Sequence, residues 1–212
     1  GALVYYLGAN RFEANAGMSQ SNGVGQTNVG RNQLVDWQYR HAQLKWTSPR
    51  WYANAYATQS LAGDSYAINR YSSARLTTPA TISDDSVAKL SDWPSSGKLL
   101  AAEIQNNFTI TPLLDTRVVW GAQIRRDDVS SEREWLLDRV TNENIILNQQ
   151  GAYAQTETPL GSQLRLVLSG RYDKATSYDA NFSPKAGLLY TPWTDQTFRV
   201  TYNRAFKTPT VL

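Results

Sequence analysis

Apolar and polar residues alternate with a period of two through most of the chain, the pattern of strands with one apolar and one polar face. The clearest pair is 99–111 with 116–126. In the first, Leu100, Ala102, Ile104, Phe108 and Ile110 share one parity, and Glu103, Gln105, Asn107 and Thr109 the other. In the second, Val118, Trp120, Ala122 and Ile124 alternate with Arg117, Gly121, Gln123 and Arg125. Leu164, Leu166, Leu168 and Tyr172 alternate with Arg165, Ser169, Arg171 and Asp173; Phe198, Val200 and Tyr202 alternate with Arg199, Thr201 and Asn203. The pattern predicts ten strands: 2–8, 12–20, 34–46, 51–60, 99–111, 116–126, 149–158, 163–174, 182–191 and 196–204. Most have the roughly 9–11 residues that a tilted strand needs to cross a bilayer. Two are ambiguous. Parity changes near His41 in 34–46, which suggests a bulge there, and 51–60 carries large residues on both faces.

Alternation alone fits a sandwich as well as a barrel, and the connections separate them. Short turns are expected at 9–11, 48–50, 111–115, 158–162 and 191–195; the last three share a Thr-Pro-x-x-(Asp/Ser) frame. Proline sets φ for a turn and cannot donate to a ladder. Longer connections are expected at 21–33, 61–98, 127–148 and 175–181, alternating with the short ones. Short turns on one rim and long loops on the other is the layout of outer-membrane barrels, and a sandwich is not expected to segregate loop lengths so. The expectation is an all-β, antiparallel, up-and-down transmembrane barrel wall spanning 1–212. Connection 61–98 is too long for an ordinary loop; on a barrel it would meet ligand, through Tyr66, Arg70, Tyr71 and Trp93.

Composition agrees: 12 Tyr, 7 Trp and 5 Phe supply bulk that favours strands. No run of about 18 apolar residues provides a transmembrane helix. Zero cysteines exclude a disulfide framework and a thiolate metal site. One histidine and no Asp-x-Asp-x-Asp loop give no metal site, and no cofactor motif is present. Gly23-Val24-Gly25 is followed next by Gly30 without a helix, so it is no dinucleotide fingerprint. The net charge of +3 is dispersed, which argues against nucleic acid, since a phosphate-tracking surface needs clustered cations.

Toward the C-terminus the motifs become specific. They are Leu164-Arg165-Leu166-Val167-Leu168-Ser169-Gly170-Arg171-Tyr172-Asp173, then Asn181-Phe182-Ser183-Pro184-Lys185-Ala186-Gly187, then Tyr202-Asn203-Arg204-Ala205-Phe206-Lys207-Thr208-Pro209. In this order they resemble the barrel domain of TonB-dependent outer-membrane receptors. Val119-Trp120-Gly121-Ala122-Gln123 and Gly151-Ala152-Tyr153-Ala154-Gln155 are weaker matches. The resemblance implies a Gram-negative outer-membrane importer of a small ligand such as a ferric siderophore, with lipid around it and TonB driving it through a plug. Transporters of this kind have 22 strands and a plugged lumen. The ten strands here, with nothing ahead of Gly8 to serve as plug or TonB box and an end at Thr210-Val211-Leu212, lead to the expectation of an open, curved piece of wall.

Three function classes compete: importer segment, complete small barrel protease of the omptin type, and passive pore or adhesin. The protease needs His41 beside acids such as Asp84-Asp85 or Asp127-Asp128, and no motif joins them; the bland reading of both acid pairs is loop solvation. Arg117, Arg125, Arg165, Arg171, Lys185 and Arg199 share the polar parity and are expected to face the lumen, because a cation facing lipid costs about 2–4 kcal/mol at the midplane. There they would pair with Glu103, Glu157, Asp173 or a plug, or attract an anionic ligand.

Overall fold

In the computed structural model, residues 1–27 and 30–206 are described. The elements in chain order are β1 (Ala2–Leu7), β2 (Asn10–Thr27), β3 (Gly30–Thr47), β4 (Trp51–Leu61), β5 (Tyr66–Ala67), α1 (Ile68–Thr77), α2 (Asp84–Lys89), β6 (Ser96–Ile110), β7 (Thr116–Ser130), β8 (Ile145–Pro159), β9 (Leu164–Ala175), β10 (Tyr178–Trp193) and β11 (Gln196–Asn203). Ten of the strands form one antiparallel meander in the order β1-β2-β3-β4-β6-β7-β8-β9-β10-β11, and the short β5 pairs with β3. Among the described residues β1 and β11 are the two edges, so the sheet is open, as the sequence predicts.

All ten predicted strands are present, but two predicted loops are not. Connection 21–33 is mostly ladder, because β2 and β3 stay paired from Ser21↔Trp37 through Thr27↔Gly30. Polar residues hid it: outside a bilayer a strand no longer needs an apolar face. Residues 28 and 29 of that connection lie outside the described residues. Connection 175–181 shrinks to residues 176 and 177 between β9 and β10, so long and short connections do not alternate strictly. The bulge expected near His41 is displaced: register runs unbroken through Gly17↔His41 and shifts between Ser21 and Gly23, opposite Asp36, whose φ is 54°. The parity change at His41 has another cause. Gln38 and Arg40 keep the apolar parity but lie beyond its apolar band.

Residues paired across a ladder point to the same side, so the registers extend each face over the whole sheet. Leu100, Ala102 and Ile104 pair with Ala57, Ala55 and Ala53 on one flank and with Arg126, Ile124 and Ala122 on the other. The same face continues through Ala152, Tyr172 and Phe182 to Tyr202 and Val200. It is uncovered: Ile124 is 61% and Val200 75% exposed. Near the short turns it carries a row of rings, Tyr5, Phe12, Trp46, Trp51 and Trp120, with successive centroids 5.9–6.5 Å apart. Trp46 donates its indole N–H to Asn10 Oδ1 at 3.0 Å. Rings with an apolar body and a polar tip suit a membrane–water interface.

The opposite face is polar and bonded. Asn15, Gln43, Asn54 and Glu103 form a chain of side-chain hydrogen bonds at 2.9, 2.8 and 3.4 Å. Tyr153 donates to Gln105 at 2.6 Å. Its ring lies across Gly121, where a Cβ would stand 2.6 Å from the ring and 2.8 Å from the Ile104 carbonyl oxygen. A glycine there is what lets the two groups meet.

Candidate functional site at the loop rim

The strands rise past the apolar band on the side away from the short turns. β2 and β3 have 18 residues each, against the roughly 9–11 that a bilayer needs. The long connection 62–95 folds over this rim as β5, α1 and α2 rather than as open loop. Its root is a turn at Gly63, with φ of +63° and an isolated bridge to Val35. Ser65, fully buried, accepts from the Val35 N–H at 3.0 Å and donates to the Ala62 carbonyl. Val87 of α2 and Ser91 are also fully buried. Ser91 donates to the Val87 carbonyl at 3.1 Å and its own carbonyl accepts from Ala67 at 2.9 Å.

The structure gathers all four loop residues singled out in the sequence. Tyr66 pairs with Gln33 of β3 and bridges to Asp92, the neighbour of Trp93. The rings of Tyr66 and Tyr71 are 5.1 Å apart. Arg70 Nη1 donates to the Asp92 carbonyl at 3.2 Å and lies 3.8 Å from Glu134. Trp93 stands between Trp37 at 5.9 Å and Trp135 at 5.6 Å. Trp37 and Trp135 escape sequence reasoning because each sits in another segment, a strand and the 131–144 connection. Trp135 fastens that connection to 62–95 by donating Nε1–H to the Pro94 carbonyl at 2.9 Å. Tyr71 has its phenol pushed above the usual range, first by desolvation and then by the Asp84 carboxylate. It therefore stays a neutral hydrogen-bond donor at physiological pH.

The 131–144 connection depends on Asp138, whose Oδ1 accepts from the Val140 and Thr141 N–H groups at 2.9 and 3.0 Å. These bonds hold its carboxyl below the usual range. A depressed pKa means stability present above the unfolded value and lost as pH falls through the folded one. We expect the amides of Val140 and Thr141 to lose hydrogen-exchange protection on acidification below the ordinary carboxylate range. Asp138→Asn should abolish that pH dependence; if it persists unchanged, Asp138 is not its source.

One carboxylate of each acid pair has a local partner. Asp84 and Asp85 occupy the first turn of α2, where carboxylates suit the helix dipole, and Asp84 pairs with Arg75 at 3.4 Å. Asp127 takes two bonds of 2.8 Å from Arg125. His41 lies over Gly17 and opposite Thr58. From it the polar-face register runs through Thr58 and Leu99 to Asp127. Three ladder steps amount to about 14 Å, beyond contact.

The six basic residues singled out in the sequence all fall in the polar-face registers. Three pair within the sheet: Arg165 with Glu157 at 2.7 Å, Arg171 with Asp173 at 2.7 Å and Arg125 with Asp127 at 2.8 Å. Among the described residues Arg117, Lys185 and Arg199 have no carboxylate within ion-pair distance. Glu103 accepts from Asn54 rather than from a cation.

A consecutive antiparallel meander with one apolar face, an interfacial row of rings and folded loops on the far rim defines an outer-membrane-type barrel wall. The chain belongs to the TonB dependent receptor-like beta-barrel family, whose model matches residues 2–212. No curated protein matches the sequence. Among solved structures it is similar to the FrpB iron transporter from Neisseria meningitidis. The apoprotein of the F5-1 variant matches with a TM-score of 0.65 at 15% identity, covering 98% of this chain and 35% of that one. The F3-3 variant gives 0.60 at 13% identity, covering 98% and 36%. The siderophore receptor PirA from Pseudomonas aeruginosa gives 0.51 at 14% identity, covering 99% and 41%. At these identities the likeness concerns the fold. The chain spans well under half the length of these structures. Residues 207–209, the end of the Tyr-x-Arg-Ala-Phe motif, and 210–212 lie outside the described residues.

Proposed function

We propose that this chain supplies wall and outer vestibule to a TonB-dependent importer of the Gram-negative outer membrane, which captures an iron chelate of the siderophore type. The observation that carries the reading is the cluster at the loop rim. Trp37, Trp93 and Trp135 are brought together from three segments, with Tyr66, Tyr71 and Arg70 beside them. Flat rings with a neighbouring cation suit an anionic, partly aromatic chelate. The names of the similar structures, an iron transporter and a siderophore receptor, point the same way. In this reading the apolar face meets lipid and the polar face the lumen. Arg117, Lys185 and Arg199 are then available to a plug or to a passing anion, and energy comes from TonB acting through a plug. The family is one of receptors, and among the described residues no carboxylate lies within ion-pair distance of His41, so this reading is preferred over the omptin-type protease and over a passive pore or adhesin.

The test is binding of ferric citrate and ferric desferrioxamine to the full-length protein, read by tryptophan quenching. If one of them binds, Trp93→Ala should weaken it tenfold or more, the size of an interface hot spot, with the barrel's heat stability unchanged. Equal binding by the variant removes the cluster from ligand capture.

A further inference from the structure

We propose that the outer part of the apolar face holds a binding site for a phosphate-bearing lipid, formed by Arg40, Lys98, Arg126 and Lys174 above a hollow floored by alanine. All four side chains have the parity of the apolar face. Arg126 is opposite Leu100, and Lys98 precedes Leu100 by two residues on the same strand. Arg40 is opposite Gln59, which is opposite Lys98. Lys174 is opposite Gln150, which is opposite Ile124. Arg40 and Lys98 are level in the register, and from Lys98 onward the row descends. Arg126 stands two positions nearer the short turns than the partner of Lys98, and Lys174 two nearer again. Strand tilt requires such a descent of any row level with the membrane. The aromatic row at the other rim shifts in the same sense, from Trp46 opposite Ala53 to Trp120 opposite Asn106, the partner of Trp51.

The four cations are exposed, and none is in an ion pair among the described residues. Arg40 donates to Gln38 Oε1 at 2.6 Å, and Asp128, opposite Lys98, is the carboxylate nearest them in the register. A cation facing lipid costs about 2–4 kcal/mol at the midplane but about 0–1 near the interface. Four together on this face therefore place the row at headgroup level, where phosphate is the matching anion. Below Arg126 and Lys174 a hollow is lined by Ala55, Leu100, Ala102 and Ile124. Below Arg40 and Lys98 a second is lined by Ala42, Ala57 and Leu100. Small side chains leave room for an acyl chain under each pair of cations. The turn-side rim carries rings instead, so the site selects the leaflet on the loop side.

The inference rests on the wall reading given under Proposed function, and the two fail separately. Native mass spectrometry of the full-length protein in detergent would be run with dioleoyl phosphatidic acid, dioleoyl phosphatidylcholine and inorganic phosphate. Wild type should retain phosphatidic acid in preference to phosphatidylcholine, and millimolar phosphate should not displace it. The triple variant Lys98→Gln, Arg126→Gln, Lys174→Gln should lose retention at least tenfold, and Arg126→Gln alone should lose part of it. The control Lys89→Gln, Arg139→Gln removes loop charges and should retain lipid. Retention by the triple variant, equal retention of phosphatidylcholine, or displacement by phosphate overturns the site. Failure of wild type to insert into phosphatidylcholine bilayers, read by protease protection, would instead overturn the wall reading.

Discussion

Arginine in place of Ala152 should destabilise the protein in a bilayer by about 2–4 kcal/mol, whereas arginine three residues on, in place of Gln155, should fall within about 0.5 kcal/mol. Ala152 lies between Ala122 and Tyr172 on the apolar face, midway between the cationic row and the aromatic row. No water reaches that depth, and an arginine there has only lipid tails to face. Gln155 lies between Val119 and Ser169 on the polar face and is exposed. Domains are stable by only about 5–15 kcal/mol, so the first change removes a large fraction of the total. Unfolding of the full-length variants in lipid vesicles, followed by heat-modifiable gel mobility, measures the difference. Equal costs at the two positions would mean that the faces are assigned wrongly.

The assignment of faces was legible wherever lipid enforces it. Strands β6, β7 and β9 show clean alternation because every second residue meets one solvent and its neighbours another. Legibility ends where that enforcement ends. Residues 21–27 are strand with no apolar parity, since both faces of a protruding hairpin meet water, and composition alone then reads as loop. The ambiguity of 51–60 has the opposite cause. Alanines at 53, 55 and 57 face lipid while Tyr52 and Tyr56 face inward, so bulk and hydropathy point to opposite faces. Only register resolves them.

The loop site was half legible. Aromatic and cationic content marked Tyr66, Arg70, Tyr71 and Trp93, and the fold brings all four to one place. Trp37 and Trp135 carried no local mark. Trp37 looked like one more strand aromatic, and Trp135 lies in a connection without periodicity. They join the cluster only because the 62–95 segment folds back on β3 and is pinned by Ser65, and no spacing rule encodes such a long-range return. The row of cations was hidden for a related reason. Arg40, Lys98, Arg126 and Lys174 are scattered through 135 positions of sequence, and five registers are needed to see them as neighbours.

The hinge of that return is Gly63, and valine there should dismantle the site without unfolding the sheet. The backbone sits at φ +63°, a region that a β-branched residue hardly enters. Left-handed geometry alone costs about 1–2 kcal/mol in a residue with a Cβ. A Cβ would also press on the Val35 carbonyl oxygen and come within 2.6 Å of that of Asp36. These are backbone atoms of β3 that cannot swing aside, so the loop must leave the strand instead. With it would go the Ser65 bonds and the Trp93 N–H to Ser65 carbonyl bond of 3.0 Å. Trypsin cleavage after Arg70, Arg75 or Lys89 reports the open population directly. A shift of about 1.4 kcal/mol raises that population tenfold, so Gly63→Val should be cut at least ten times faster than wild type. Gly63 lies outside the long ladders, so the heat stability of the sheet should hold. Gly23→Val supplies the control: no heavy atom lies within 4 Å of a Cβ there and φ is ordinary. If Gly63→Val is cut no faster than Gly23→Val, the loop is not held at that turn. The aromatic cluster would then owe its geometry to other contacts, among them the pairing of β5 with β3 and the Trp135–Pro94 bond.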